Sequence, residues 1–120
     1  MKRYVVLLAC DPGAWATATD EIRDEYFAAH QAFEHFVDTN GRRVSSAALA
    51  DADTATTVRH VEGNVTVTDG PFVESVEQMA GYYDVELPDL DSALAAARLL
   101  PSGYAVEIRP IMVIEGYKSA

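Results

Sequence analysis

Two helix-periodic stretches, each set between runs patterned as strands, constrain this chain more than any other feature of its sequence. The first opens near Thr17 and Asp20 and closes at Asn40-Gly41. Between those points apolar residues recur at Ile22, Tyr26, Ala29, Phe33, Phe36 and Val37, spacings of three and four that draw a single stripe along a helix. Thr17 with Asp20 reads as the opening box, and Asp20, Glu21, Asp24 and Glu25 sit where the helix dipole favours negative charge. The second stretch, Leu90 to Leu100, is opened by Pro88-Asp89 and stopped by Pro101 and Gly103. Its Leu90, Ala93, Leu94 and Ala97 are expected to face inward.

The flanking runs follow the period of two that marks strands. Tyr4 to Leu8, within the apolar run Tyr4 to Cys10, reads as a buried first strand. Arg43 to Leu49 is a weaker strand, diluted by Ser45 and Ser46. Thr56 to Val61 and Val65 to Thr68 flank Glu62-Gly63-Asn64, a β-hairpin rich in β-branched residues. From Gly81 to Leu87, Tyr83, Val85 and Leu87 alternate with Tyr82, Asp84 and Glu86; from Tyr104 to Pro110, Tyr104, Val106 and Ile108 alternate with Ala105, Glu107 and Arg109. With the hairpin set aside, the order is strand, helix, strand, strand, helix, strand. That is the ferredoxin-like split βαβ pattern, an α+β fold with both helices on one face of an antiparallel sheet. The other face needs covering, and Tyr82 and Tyr104 pointing outward would favour a second sheet there, so a homodimer is expected.

Composition narrows the function classes. The 120 residues make one domain, 1–120. Nineteen acidic against nine basic residues give a net charge of −10, a field that repels nucleic acid and anionic membranes, so neither is expected as a partner. Lys2-Arg3 precede a short apolar run with no small-residue cleavage site after it, and a membrane span needs ~20 apolar residues, so a cytoplasmic location is expected. The single cysteine, Cys10, excludes an internal disulfide and a cysteine-built zinc site.

Histidine titrates near neutrality, which makes the three histidines the first candidates for chemistry. His30 lies at the edge of the apolar stripe, one turn from Tyr26 and Phe33, whereas His35 projects about 140° away and reads as solvated surface. The two cannot share a metal, and no metal or cofactor is expected. From its position alone His30 reads first as a core-edge histidine hydrogen-bonded to backbone. Asp69 heads an Asp-Gly-Pro run that is by itself a turn. Cys10 reads as a small hydrophobe beside a buried strand. No phosphate loop, nucleophile elbow or dinucleotide fingerprint is present.

Thr68-Asp69-Gly70-Pro71-Phe72-Val73-Glu74, followed by Glu77-Gln78-Met79-Ala80-Gly81-Tyr82-Tyr83, resembles the signature of the DGPF branch of the YCII-related family. Ala28-Ala29-His30 with an aromatic three residues on, the threonine-rich hairpin, and Val106-Glu107-Ile108-Arg109-Pro110 extend the resemblance over nearly the whole chain. Two positions depart from it: Val76 stands where the family usually has lysine, and Ala80 where it has the first glycine of a pair. The resemblance implies a ferredoxin-like fold dimerised into an α+β barrel, with a cleft where His30 meets Asp69 as an acid–base pair. It also implies a cofactor-free reaction of lyase or isomerase type, one relative being similar to a dehydrochlorinase. The alternative is a non-catalytic small-molecule sensor linked to transcription regulation, since other relatives accompany sigma factors. In either case Phe72, Tyr82 and Tyr83 are expected to wall a small-molecule pocket, with Arg59, Arg109 or Arg43 supplying the cation that Val76 does not.

Overall fold

Strand and helix follow one another in the expected order in the computed structural model, which describes residues 1–118. The strands are β1 (Lys2–Cys10), β2 (Arg42–Ala48), β3 (Thr56–Val61), β4 (Asn64–Asp69), β5 (Gln78–Leu87) and β6 (Ala105–Pro110). The helices are a single turn α1 (Ala14–Thr17), the long α2 (Asp20–Asn40) and α3 (Leu90–Ala97). Four strands form one sheet in the order β2-β5-β1-β6, with every pairing antiparallel. β3 and β4 stand apart as a two-stranded arm turned through Glu62 and Gly63, both with positive φ. The fold is α+β. Among the described residues no helix is long and apolar enough to cross a membrane.

The sheet's alternation decides which face carries the core. Tyr4, Val6 and Leu8 of β1 and Tyr83, Val85 and Leu87 of β5 all point to one side and are buried. Phe33 and Val37 of α2 and Ala93 and Ala96 of α3 close over them, with Leu100 beyond. Burying a side chain the size of Phe33 or Leu87 contributes about 1.5–3 kcal/mol, so this layer dominates the stability.

Several local expectations shift. Thr19, not Thr17, caps α2, its hydroxyl accepting from the Ile22 amide at 3.2 Å, while Thr17 belongs to α1 and donates to the Gly13 carbonyl. Gly41 ends the helix in extended backbone, φ −166°, so its lack of a side chain serves packing: a Cβ there would overlap the Glu86 carbonyl of β5. On α3 the buried residues are Ala93 and Ala96, whose small side chains allow close approach, and Leu90 and Leu94 lie exposed at the rim. Tyr104 turns to the helix side rather than outward, because its hydroxyl reaches His30.

The outer face of the sheet is therefore mixed rather than aromatic-rich. Val5, Leu7 and Ala9 lie along it, half-buried. Around them Arg3 grips Asp84 with two hydrogen bonds and Arg42 does the same to Glu86.

Candidate functional site

α2 brings His30 and Glu34 to the same side of the helix, one turn apart, facing the sheet where β5 presents Tyr83. Nδ1 of His30 lies 2.8 Å from the Tyr83 hydroxyl and Nε2 lies 3.0 Å from that of Tyr104. The Tyr83 hydroxyl donates to Glu34 Oε2 at 2.7 Å. With its proton spent on Glu34, Tyr83 accepts from His30 Nδ1–H, which leaves Nε2 as the lone-pair nitrogen that accepts from Tyr104. In the neutral ring the hydrogen bonds thus favour one tautomer, with the proton on Nδ1. Arg43 holds the far end, its Nη1 3.1 Å from Glu34 Oε1 and its other nitrogens on Asp38 at 2.9 and 3.0 Å.

Electrostatics agree with that proton assignment. Burial pushes the half-buried His30 imidazole below its ordinary value, with the Glu34 charge opposing. Burial first, then the hydrogen bond to Glu34 and that carboxylate's charge, drive Tyr83 well above the usual phenol range. Burial pushes Tyr104 up to about 12. Both phenols therefore keep their protons and act as donors.

Three members of this network, His30, Tyr83 and Tyr104, line a cavity of about 530 Å³. An aromatic series lines it, Phe27 against Trp15 at 5.5 Å, Trp15 against Tyr26 at 6.1 Å, Tyr26 against Tyr104 at 5.4 Å, and Tyr104 against His30 at 5.5 Å between ring centres. Gly103 gives room to the Tyr26 hydroxyl, which a Cβ would overlap. Behind the wall Arg23 stacks on Trp15, 4.9 Å from the ring centre, and donates to the Trp15 carbonyl at 2.8 Å, bracing the short α1. Such an apolar, largely preformed cavity with a few convergent polar groups is the usual form of a small-molecule site.

Of the expected site residues, His30, Tyr82 and Tyr83 line this cavity. Asp69 does not. Among the described residues it neither borders the cavity nor hydrogen-bonds a side chain there; it closes the arm opposite Thr56, and the turn after it is held by Gly70 N–H on the Ala55 carbonyl and by the Thr57 hydroxyl on Gly70 O. The expected His30–Asp69 pair is not formed within one chain, because the hairpin leaves the sheet as an arm and tyrosines occupy both imidazole nitrogens. Phe72 is exposed, and Arg59 spends a nitrogen on the Phe72 carbonyl. Arg109 sits exposed on β6, 3.9 Å from Glu107. Val76, in the family's lysine position, is 80% exposed. Glu34 and Tyr104 were missed by sequence reasoning, although Glu34 lies one helical turn from His30 and its side was readable from that spacing.

Comparison with known proteins settles the kinship. The sequence matches the YCII-related domain over residues 2–115. The chain belongs to the YCII-related family. An uncharacterized protein of Rhizobium meliloti (strain 1021) is 36% identical over 115 residues, covering 90% of each chain. The family's match thus includes every element from β1 to β6, the cavity and the His30 network.

Proposed function

We propose that this protein is a cofactor-free enzyme of lyase or isomerase type acting on a small ring compound, with His30 as its proton-handling group. One observation carries the reading: a neutral, half-buried imidazole held in a single tautomer at the end of an aromatic cavity. A bound compound that displaces Tyr104 from Nε2 can pass a carbon-bound proton to that nitrogen. The imidazolium so formed is balanced by Glu34 through Tyr83, and the freed Tyr104 hydroxyl donates to the oxygen where negative charge develops. Glu34 and Arg43 are positioning residues in this scheme, and Glu34 takes the place expected of Asp69.

The test is solvent exchange. Ring ketones, lactones and phenols that raise the melting temperature are incubated with protein in deuterium oxide and followed by NMR. Wild type is expected to exchange a carbon-bound proton, and His30→Gln to bind without exchanging. A second reading, binding without chemistry as in a sensor, is favoured by both nitrogens of His30 being already satisfied. Ligand binding with no exchange in wild type selects it.

We further propose a ferredoxin-like homodimer closed through the outer sheet face into an α+β barrel. The strand order and the half-buried Val5, Leu7 and Ala9 support it. So does the shape: the radius of gyration is 16.6 Å, against about 14 Å for a compact chain of this length. Val58 and Val67, cross-strand neighbours on the arm, are 59% and 64% exposed, and an isolated two-stranded ribbon is marginal without cover. We assign the arm, with Asp69, Arg59 and Phe72, to the contact with the second copy.

A further inference from the structure

The cavity's charge is as one-sided as its walls are aromatic. Among the described residues, no lysine or arginine lines it, and the only charged side chains that do, Asp11 and Asp51, are both carboxylates. Both are exposed, so they stand at its mouth. Neither side chain is committed to holding the fold: that of Asp51 caps nothing at the short 3-10 turn that follows it, and Asp11 serves the start of α1 through its backbone carbonyl, which accepts from Ala14. The Arg23 guanidinium is engaged behind Trp15 and is not part of the lining.

We propose that the cavity takes an organic monocation, a ring compound with one ammonium-type nitrogen, its ring against Trp15, Tyr26 and Phe27 and its charge toward Asp11 and Asp51. This rests on the small-molecule reading of the cavity given above and names the charge of what enters it. Aromatic faces attract a cation through their ring quadrupole, and the attraction strengthens as water is excluded. Carboxylates at the opening add a favourable field and repel an anion of the same shape. The field reaches inside: after burial, the charges of Asp11, Asp51 and Glu77 are what raise the Cys10 thiol within the cavity wall. A neutral His30 presents no competing positive charge. With a net charge of −10 on the chain, a cation is also drawn from a distance.

Trp15 is the sole tryptophan and lies in the wall, so its fluorescence reports occupancy directly. The experiment titrates the full-length protein with three probes of similar ring size: benzyltrimethylammonium, benzyl alcohol and phenylacetate. The expected result is that the cation binds about tenfold or more tighter than the other two, and that added salt narrows the gap. In the double variant Asp11→Asn, Asp51→Asn the cation's advantage should fall by about tenfold with benzyl alcohol affinity unchanged. Both positions are exposed, and a melting curve matching wild type shows that the variant is folded. Benzyl alcohol or phenylacetate binding as tightly as the cation overturns the charge assignment while leaving a ring-binding cavity in place. A cation preference that survives the double variant intact also overturns it. No response to any probe, in fluorescence or melting temperature, overturns both the assignment and the small-molecule reading.

Discussion

His30 is placed so that its protonation works against the fold. In the unfolded chain an imidazole binds its proton near 6.5, whereas burial lowers that value in the native protein. Between the two values the unfolded state holds more protons, so stability rises with pH through this window. The contribution is complete above about 6.5 and is lost as the pH falls below it. Urea midpoints measured from pH 8 to 5 should therefore decline for wild type, and His30→Gln should flatten that decline; an unchanged slope would show that His30 takes a proton freely. Tyr83→Phe removes the oxygen that serves both His30 and Glu34. The imidazole N–H is left without a partner while Glu34 keeps Arg43, so a loss of about 1–3 kcal/mol in urea unfolding is expected. His30 was legible in the sequence because it borders the apolar stripe of α2, and Tyr83 because β5 alternates cleanly. Their convergence with Tyr104 was not, since three elements far apart in the chain must meet before any of these hydrogen bonds exists. The place of Asp69 was not legible for the opposite reason: a run that resembles the family signature carries no information about which body its turn lies against.

At the scale of elements, what could be read was whatever a local pattern decides. The stripe from Ile22 to Val37 defined α2, and the alternation in β5 and β6 separated their two faces without telling which of them is inner in β6, because burial on one side imposes a period that sequence displays. Boundaries and orientations that depend on a neighbour were not legible. Nothing local distinguishes the cap at Thr19 from the hydroxyl at Thr17, nor tells that α3 approaches on its alanines. Gly41 is the sharpest instance, a residue read with Asn40 only as the close of the helix, whose role is to admit the Glu86 carbonyl. Gly41→Ala should accordingly force β2 from β5 and lower stability by about 1–3 kcal/mol, the range for overpacking a closed contact. Thr19→Ala should cost about 1 kcal/mol through the lost cap and leave the sheet undisturbed. Thermal unfolding separates the two, and amide exchange at the β2–β5 ladder should quicken only in the glycine variant.

For the whole molecule the outer sheet face sets the outcome. Among the described residues no helix covers its Val5, Leu7 and Ala9, while the ion pairs Arg3–Asp84 and Arg42–Glu86 sit among the same strands. A sheet packed against its copy would bury the apolar row and leave the paired charges toward the edge. Leu7 is the informative position. Its cross-strand neighbours are Tyr82 on β5 and Glu107 on β6, so a lysine placed there meets a carboxylate and an aromatic ring in the single chain. Leu7→Lys should therefore leave the helix-side core and the His30 network intact. In the proposed dimer the same lysine would be taken from water twice over, at a cost of several kcal/mol per charge. Since each ~1.4 kcal/mol is tenfold in affinity, dissociation should strengthen by more than about a hundredfold. Sedimentation should then give a dimer for wild type and a 13.0 kDa species for Leu7→Lys at the same concentration, with matching far-ultraviolet dichroism. A wild type that sediments at 13.0 kDa would overturn the dimer, whereas a lysine variant that stays paired would place the contact elsewhere and leave the arm as the remaining surface for a second copy.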